Sequence, residues 1–221
     1  MRNFDLAISK YKSLVFDCDG VILNSNKIKT EAFYDVAKVY GHEPALALKN
    51  YHIKNGGISR YAKFEYLLST ILDKELNQSD LKKLLDDFSY EVNKSLLSCE
   101  VATGLEELKN LTPYANWLIV SGSDQSELRE LFNKRSLKKY FEGGIFGSPD
   151  NKEAILAREI DTGNIVKPAL FIGDSVYDYN ASHAAGLDFV FVSQWTEVEN
   201  YQGWCLEKRI PIFENICSFL E

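Results

Sequence analysis

Several features are missing from this chain of 221 residues, and each absence narrows what the protein can be. The sequence has no run of about 18 apolar residues, so we expect no segment that spans a membrane. Its four cysteines lie far apart and form no Cys-x-x-Cys pair, which argues against a zinc site or a disulfide framework. Charged residues within positions 1–12 interrupt any apolar core of a secretion signal. We therefore expect a cytoplasmic protein.

An excess of basic residues is missing as well. The formal net charge is −7 at pH 7, whereas a nucleic-acid-binding domain normally presents a basic face. The one dense basic stretch, residues 134–139, falls where a helix is predicted to end, and cations are stabilised there by the helix dipole. We therefore expect neither a nucleic acid nor a membrane as a partner.

Short apolar runs of strand length recur along the chain and end in small polar or acidic residues. They cover residues 14–16, 117–120, 145–146, 169–172 and 189–192. Continuous apolar runs indicate strands that are covered on both faces. Helical patterns are found over residues 125–134, 152–160, 177–185 and 212–220. The alternation predicts an α/β fold, a Rossmann-like doubly wound parallel sheet whose functional groups lie beyond the carboxyl ends of the strands.

The pattern changes after the first run. Apolar residues then recur three and four positions apart over residues 64–72 and 81–88, as in amphipathic helices, and Ser79 is a suitable N-cap for the second of these helices. We predict an inserted α-helical cap domain over residues 26–97, with residues 1–25 and 98–221 forming the core domain.

Two aspartates two positions apart follow the first apolar run. In an extended chain Asp17 and Asp19 point to the same side, while Cys18 faces away. Carboxylates this close repel each other unless a metal ion or a shared proton compensates, and Gly20 lets another group approach the backbone. The arrangement suits a divalent cation with oxygen ligands beside a nucleophilic carboxylate.

A calcium-binding EF-hand loop is another explanation of Asp-x-Asp-Gly-x-Ile. Alignment of the chain to that loop places Val15 at the first ligand position and Asn26 at the last. Valine cannot ligate a cation, and asparagine cannot supply the bidentate carboxylate. A strand, not a helix, is also predicted before the motif, so we reject the EF-hand.

Other residues with useful chemistry follow later strands. Asp174 ends the fourth apolar run, so its carboxylate can meet that of Asp17 over the sheet edge and share a Mg²⁺ ion. Ser121 precedes a predicted helix, where its hydroxyl and free N–H groups such as that of Gly122 can hold a phosphate. Asp178 either stabilises a helix N-terminus or supports the metal site, directly or through water.

Four segments in this order resemble the motifs of the haloacid dehalogenase superfamily. Residues 17–21 look like its first motif, Ser121 like the second, Lys152 like the third, and residues 173–175 with Asp178 like the fourth. The resemblance covers essentially the whole chain and is to phosphatases and phosphomutases with a helical cap inserted after the first motif. One departure is Glu153, because the family often has proline immediately after the lysine.

The resemblance implies a role for each of these residues. Asp17 would attack phosphorus and form an aspartyl-phosphate intermediate, and Asp19 would transfer protons to the leaving group and from water. Lys152 would neutralise the phosphoryl oxygens and Asp17. The family pattern implies Mg²⁺ on Asp17, Asp174 and the backbone carbonyl of Asp19, with Asp178 in support.

Residues of the predicted cap bear on the substrate. Arg60 lies in a segment that resembles the one with which hexose-phosphate mutases reach the substrate; it either binds a phosphate or carboxylate or is a solvated residue opening a helix. Phosphonate cleavage in this family requires a cap lysine, and no cap lysine is distinguished by its sequence context. The residues also leave His52 as a structural histidine.

Three functions remain compatible with these residues. The first is a Mg²⁺-dependent phosphatase acting on a small phosphorylated metabolite, with sugar phosphates among the candidates. The second is a phosphosugar mutase of the β-phosphoglucomutase type, favoured by Val21 and Arg60 and opposed by Lys29, where those mutases carry a histidine. The third is a non-catalytic relative that binds a ligand.

Overall fold

Parallel strands form the centre of the computed structural model, which describes residues 7–220. The strands are β1 (Ser13–Phe16), β2 (Asn116–Asp124), β3 (Gly144–Ser148), β4 (Ala169–Gly173), β5 (Asp188–Val192) and β6 (Ile212–Phe213). They lie in the order β3-β2-β1-β4-β5-β6, and every neighbouring pair is parallel. The predicted α/β fold with a Rossmann-like parallel sheet is confirmed.

Helices cover the sheet and fill the long connection after its first strand. They are α1 (Asn26–Ala37), α2 (His42–Lys54), α3 (Arg60–Tyr66), α4 (Gln78–Ser98), α5 (Leu105–Leu111), α6 (Gln125–Lys134), α7 (Lys152–Asp161), α8 (Val176–Ala184) and α9 (Tyr201–Lys208). Of the residues that the structure describes, none belongs to a helix both long and apolar enough to cross a membrane.

The central strand β1 is buried on both faces, as its continuous apolar sequence predicts. Leu14 and Phe16 pack into the apolar cluster on one side of the sheet, and Val15 packs into the cluster on the other side. On the first side, the ring centroids of Phe16 and Trp117 are 4.8 Å apart. Burying one such side chain contributes about 1.5–3 kcal/mol, so β1 is held firmly in the core.

The order of the strands reverses between β1 and β4. From β1 the chain adds β2 and β3 on one side, and β4, β5 and β6 continue on the other side. Just beyond β1, the Asp17 N–H donates a hydrogen bond to the carbonyl of Ile172 in β4, at 2.9 Å. Ligands of open α/β sheets bind at such a reversal, outside the carboxyl ends of the strands.

Helices α1 to α4 lie between β1 and β2 along the chain and pack together through aromatic rings. The ring centroid of Phe33 in α1 is 4.4 Å from that of Phe88 in α4 and 5.2 Å from that of Phe64 in α3. These rings belong to the same apolar cluster as one face of the sheet. The division into a core domain and a cap domain over residues 26–97 stays a prediction.

The helix predicted over residues 64–72 is present: α3 ends at Tyr66, and a π-helical turn continues to Ile71. Two local predictions are wrong. The N-cap of α4 is Asn77, whose side chain accepts a hydrogen bond from the Ser79 N–H at 2.8 Å. The tail, predicted as a helix, instead forms β6 and a short 3₁₀ turn, because pairing with β5 and burial of single apolar residues explain its pattern without a helix.

Candidate active site

Asp17 lies directly beyond β1 with only 2% of its surface exposed. One of its oxygens accepts a hydrogen bond from the Cys18 N–H at 2.7 Å and lies 3.0 Å from the Lys152 ammonium nitrogen. Burial and the charge of Asp178 raise the pKa of Asp17 to about 7, although Lys152 opposes the shift. A positive charge beside Asp17 would therefore favour its ionised form.

Asp174, at the carboxyl end of β4, faces Asp17. Oxygens of Asp17, Asp174 and Asp178 lie within 4.8 Å of one another, close enough to share a cation. Burial and the charge of Asp17 raise the pKa of Asp174 well above its ordinary value. Asn26 donates a hydrogen bond to Asp174 Oδ2 at 2.7 Å and thereby orients the carboxylate.

The backbone at Gly20 must approach the Asp174 carboxylate very closely for this arrangement to form. A Cβ atom added to Gly20 would lie 2.1 Å from Asp174 Oδ2, and the residue has a positive φ of +77°. Only glycine meets both requirements without strain. The glycine of the first motif thus makes room for the second carboxylate.

Asp178 holds the ammonium group of Lys152 in place. Its Oδ1 pairs with Lys152, and its Oδ2 accepts hydrogen bonds from the N–H groups of Asp174 and Ser175 at 3.2 and 3.1 Å. Ser175 and Asp178 form a capping box at the start of α8. Asp178 is therefore an acid at a helix N-terminus, and its support of a metal site, directly or through water, stays a prediction.

Lys152 is the first residue of α7, as predicted, and only 1% of it is exposed. Burial alone would lower the pKa of Lys152, but the charges of Asp17 and Asp178 raise it above the ordinary value. The lysine therefore carries its charge between two buried carboxylates. Glu153, the departure from the family pattern, accepts a hydrogen bond from Tyr177 at 2.6 Å and leaves Lys152 in reach of Asp17.

Asp19 is surrounded by donors. Lys29 lies 2.6 Å from its Oδ2, Ser123 donates to the same oxygen at 2.8 Å, and Ser25 donates to Oδ1. Burial would raise the pKa of Asp19, but Lys29 and these hydrogen bonds outweigh it and hold the pKa at about 2. Asp19 is therefore ionised in the structure.

The second segment, residues 121–123, lies at the end of the β2 apolar run, as predicted, but the Ser121 side chain is not the one that faces the cavity. Ser121 is fully buried, and its hydroxyl accepts a hydrogen bond from the Ser123 N–H at 3.1 Å. Gly122 and Ser123, not Ser121, line the cavity beside Asp19. The Ser121 hydroxyl thus stabilises the irregular end of β2 that presents Gly122 and Ser123 to the cavity.

The loop between α2 and α3, residues 55–59, covers the site. A Cβ atom on Gly122 would lie 2.1 Å from the carbonyl oxygen of Gly57, so the loop backbone rests directly on β2. A Cβ atom on Gly57 would lie 3.6 Å from the Lys152 nitrogen. The loop therefore closes the space above Lys152, and a cavity remains between the sheet edge and the helices α1 to α4.

Arg60 lines this cavity and is not the solvated residue that one reading of the sequence allowed. Only 7% of it is exposed. Its guanidinium group pairs with Glu127 of α6 and donates a hydrogen bond to Ser89 of α4 at 2.8 Å. Asp124 is the N-cap of α6, and its side chain accepts hydrogen bonds from the N–H groups of Ser126 and Glu127, while the side chain of Glu127 turns to Arg60.

Two cavity residues were missed by the sequence analysis. Lys63 of α3 lies 2.8 Å from the Nδ1 atom of His52 of α2, and both are buried. The sequence distinguished no lysine in this region and left His52 as structural, because nothing in their spacing along the chain connects them. The structure does distinguish one lysine, since Lys63 and His52 both face the cavity that contains Asp17 and Asp19.

Comparison with known proteins agrees with this geometry. Residues 14–192 match the family model described as haloacid dehalogenase-like hydrolase. The chain belongs to this family. A search of curated proteins gave no match.

Several solved structures share the fold. One is a proposed haloacid dehalogenase-like hydrolase from Bacteroides fragilis, at 18% identity and a TM-score of 0.71, covering 96% of this chain and 100% of that chain. A second is a predicted phosphoglycolate phosphatase from Haemophilus somnus, at 18% identity and a TM-score of 0.71; the match covers 96% of this chain and 98% of that chain. A third is a proposed β-phosphoglucomutase from Bacteroides vulgatus, at 19% identity and a TM-score of 0.72; the match covers 95% of this chain and 86% of that chain. At these identities the likeness establishes the fold alone.

The acidic group fits the Mg²⁺ ion that the family generally uses. Magnesium prefers oxygen ligands and usually keeps several waters, so a few carboxylate oxygens suffice. Asp17 and Asp174 supply such oxygens. Burial and the charge of Asp178 raise the pKa of Asp17, and burial and the charge of Asp17 raise that of Asp174. A divalent cation between them would relieve that repulsion.

Proposed function

We propose that the protein is a Mg²⁺-dependent phosphatase that hydrolyses a small phosphomonoester through an aspartyl-phosphate intermediate. The observation that carries the proposal is the position of Asp17. Its buried carboxylate lies between Lys152 at 3.0 Å and the acidic group with Asp174, at the edge of the cavity. A nucleophile, a cation and a cation-binding group thus meet at one point.

Asp17 attacks phosphorus, and the bond from phosphorus to the ester oxygen breaks. Splitting one displacement into two steps in this way lowers the barrier of each. Lys152 neutralises the negative charge that accumulates on the phosphoryl oxygens, and the Gly122 N–H binds those oxygens. Asp178 keeps the Lys152 ammonium directed at Asp17.

Asp19 is the proton carrier. It protonates the departing oxygen and later takes a proton from the water that hydrolyses the aspartyl-phosphate. Positioned proton transfer contributes about 10²- to 10⁴-fold. The Asp19 carboxylate is ionised before the substrate binds. The negative charge of the bound substrate raises the pKa of Asp19, which then takes up from solvent the proton that it gives to the departing oxygen.

Mg²⁺ would be held by Asp17, Asp174 and the backbone carbonyl of Asp19, with Asp178 in support. Bound there, it would supply a Lewis acid that polarises a phosphoryl oxygen. Uncatalysed phosphomonoester hydrolysis requires up to ~10²¹-fold acceleration, so proton transfer cannot suffice and electrostatic stabilisation must supply most of the rest.

The test is release of inorganic phosphate from p-nitrophenyl phosphate and a panel of phosphorylated sugars, nucleotides and short acids, with and without Mg²⁺. We expect turnover that requires Mg²⁺ and is abolished in Asp17→Asn, while circular dichroism shows an unchanged fold. Substantial Mg²⁺-dependent activity in Asp17→Asn would refute the nucleophilic role. Absence of turnover across the whole panel would favour the non-catalytic, ligand-binding alternative.

A phosphosugar mutase is the second candidate, and one observation favours it. Arg60 lies at the cavity in the segment that resembles the mutases. Lys29, which pairs with Asp19 where those mutases have a histidine, favours the phosphatase. Incubation with hexose 1-phosphates and a bisphosphate activator separates the two, because a mutase yields isomerised sugar phosphate without inorganic phosphate.

A further inference from the structure

Lys63 is a buried cation that faces the cavity without a carboxylate partner. Only 1% of its surface is exposed, and none of the residues in the described range 7–220 places a carboxylate within 4.0 Å of it. Its polar neighbour is His52, 2.8 Å away. An ammonium group removed from water at such a position is unfavourable unless something compensates its charge.

The other basic groups at the site are already compensated. Lys29 pairs with Asp19, Arg60 pairs with Glu127, and Lys152 pairs with both Asp17 and Asp178. An anion that enters the cavity would have to compete with a protein carboxylate for any of these groups. The Lys63 amine, whose pKa burial lowers to about 7, faces no such competition, and an anion bound beside it would favour its ammonium form.

From this contrast we propose that Lys63, oriented by His52, binds a second anionic group on the leaving part of the substrate. The substrate class is therefore a small phosphomonoester that also carries a carboxylate or a second phosphate. This inference rests on the proposed phosphatase function, which places the transferred phosphoryl group at Asp17, and it adds the chemistry of the opposite end of the substrate.

The surroundings of Lys63 agree with such a contact. Burial and the charge of Lys29 lower the pKa of Lys63 to about 7, and the charges of Asp19, Lys152 and Asp17 also act on it, so it lies within electrostatic reach of the reacting centre. The Lys63 nitrogen lies 5.4 Å from the ring centroid of Phe33, in a largely apolar part of the cavity. An anion bound there is desolvated, and its attraction to the ammonium is correspondingly strong.

His52 fixes the direction of the ammonium group. Burial and the charge of Lys63 lower the pKa of His52 well below its ordinary value, so its ring is neutral and Nδ1 accepts the hydrogen bond from Lys63. The ring centroids of His52 and Phe33 are 4.5 Å apart, and this packing holds the His52 ring in place. Two of the three ammonium protons remain for a ligand.

The experiment compares three substrates of similar size: ethyl phosphate, phosphoglycolate, and the bisphosphate of ethylene glycol. The wild-type protein should show a kcat/KM for one or both of the doubly anionic substrates at least tenfold above that for ethyl phosphate. Whichever gives the larger ratio identifies the second group as carboxylate or phosphate. Lys63→Met, which keeps the length of the side chain, should reduce this ratio at least tenfold through KM.

Lys82→Met is the matched control, because Lys82 of α4 is 75% exposed in its side chain and pairs with Asp86 at 2.6 Å. It should keep the wild-type ratio. Equal values of kcat/KM for all three substrates in the wild-type protein would overturn the proposal without any variant. So would a covalent adduct of Lys63 trapped by borohydride with a carbonyl substrate, since the amine would then act as a nucleophile.

Measurements of substrate binding distinguish failure of the Lys63 proposal from failure of the proposed phosphatase function. Calorimetric titration of Asp17→Asn with the same three phosphates reports affinity without turnover. Binding that depends on Lys63 in this background supports the subsite even where the wild-type protein hydrolyses none of the probes. Affinities unaffected by Lys63→Met in a folded Asp17→Asn protein would contradict it.

Discussion

The ammonium nitrogen of Lys29 lies 2.6 Å from Oδ2 of Asp19, and this ion pair sets the charge of the proposed proton carrier. Lys29 also donates a hydrogen bond to Ser123, which in turn donates to Asp19. Burial alone would raise the pKa of Asp19, so the depressed value of about 2 depends on these donors. Helix α1 thereby controls a side chain that belongs to the sheet edge.

Replacing Lys29 should therefore move the pKa of Asp19. In Lys29→Met we expect it to rise from about 2 to above the ordinary 3.8, because burial is then opposed only by the serine hydroxyls. A carboxylate whose pKa is lower in the folded protein than in the unfolded chain stabilises the fold at pH values above its unfolded pKa. This contribution is lost as the pH falls through the folded pKa. The variant should thus lose about 2 kcal/mol of unfolding free energy at neutral pH. Titration of the ¹³C-labelled Asp19 carboxyl and urea unfolding measure both effects.

Lys27→Met is the control for that experiment, since Lys27 is an exposed residue of the same helix. It should leave the pKa of Asp19 and the stability unchanged. The alkaline limb of the pH profile of kcat/KM, which reports the protonated Asp19 that the first step requires, should move upward in Lys29→Met alone. An Asp19 pKa that stays near 2 without Lys29 would show that the hydrogen bonds from serines suffice.

The acidic group predicts how stability depends on pH and Mg²⁺. Burial and repulsion raise the pKa of Asp17 to about 7 and that of Asp174 well above its ordinary value, whereas unfolded aspartates ionise near pH ~3.9. The folded protein therefore retains protons that the unfolded chain has released, and these groups lower the free energy of unfolding as pH rises from about 4 to about 7.

Mg²⁺ should reverse this loss, because it binds the ionised carboxylates. At a concentration about 100 times Kd it should add about 2.7 kcal/mol, which corresponds to a rise in Tm of about 5–10 °C above pH ~7 and a smaller rise near pH ~5. Asp174→Asn should abolish the rise. Asp150→Asn, which removes a surface carboxylate paired with Arg158, should retain it. A rise in Tm of equal size in Asp174→Asn would place the metal elsewhere.

The meeting of Asp17 and Asp174 was predictable from the sequence, because the carboxyl ends of parallel strands share one edge of the sheet. The start of α7 at Lys152 was predictable from its helical pattern. The pair of Lys63 and His52 was not, because the two residues lie on different helices and meet only through the packing of Phe33 against Phe64 and Phe88.

Ser121 shows a second limit of the same kind. Its place at the end of the β2 apolar run was predictable, but the direction of its hydroxyl was not. That direction depends on the irregular end of β2, where the Ser121 oxygen accepts a hydrogen bond from the Ser123 N–H, a local choice that several residue patterns allow equally. The sequence therefore indicated the segment that we propose to bind phosphate without indicating which of its residues face the cavity.

The buried ion pairs of Lys152 predict coupled effects on stability. In Lys152→Met, Asp17 and Asp178 lose their shared cation, and leaving a buried charge unpaired costs about 3–5 kcal/mol. Adding Asp178→Asn removes one of the orphaned charges, so the double variant should be more stable than the sum of the single changes predicts, by about 1–3 kcal/mol. Urea unfolding in the presence of a chelator measures this coupling. Strictly additive changes would mean that Lys152 does not stabilise the two carboxylates together.

The contact between Gly122 and the loop of residues 55–59 predicts an effect on catalysis with little effect on folding. In Gly122→Ala the new Cβ atom would meet the carbonyl oxygen of Gly57 at 2.1 Å, and because both partners are backbone, the loop has to move away. A displacement of about 1 Å at a reacting centre can reduce the rate about 10²-fold, so we expect a comparable fall in kcat/KM.

Gly56→Ala provides the comparison within the same loop, since its Cβ atom would meet Ser175 Cβ at 3.6 Å, an ordinary contact. It should keep kcat/KM within a few fold of the wild-type value, and both variants should unfold at nearly the wild-type temperature. Steady-state kinetics with p-nitrophenyl phosphate and thermal unfolding distinguish the outcomes. If Gly122→Ala retains full activity, the loop can close over Lys152 in more than one position, and its contact with β2 is then unnecessary for the reaction.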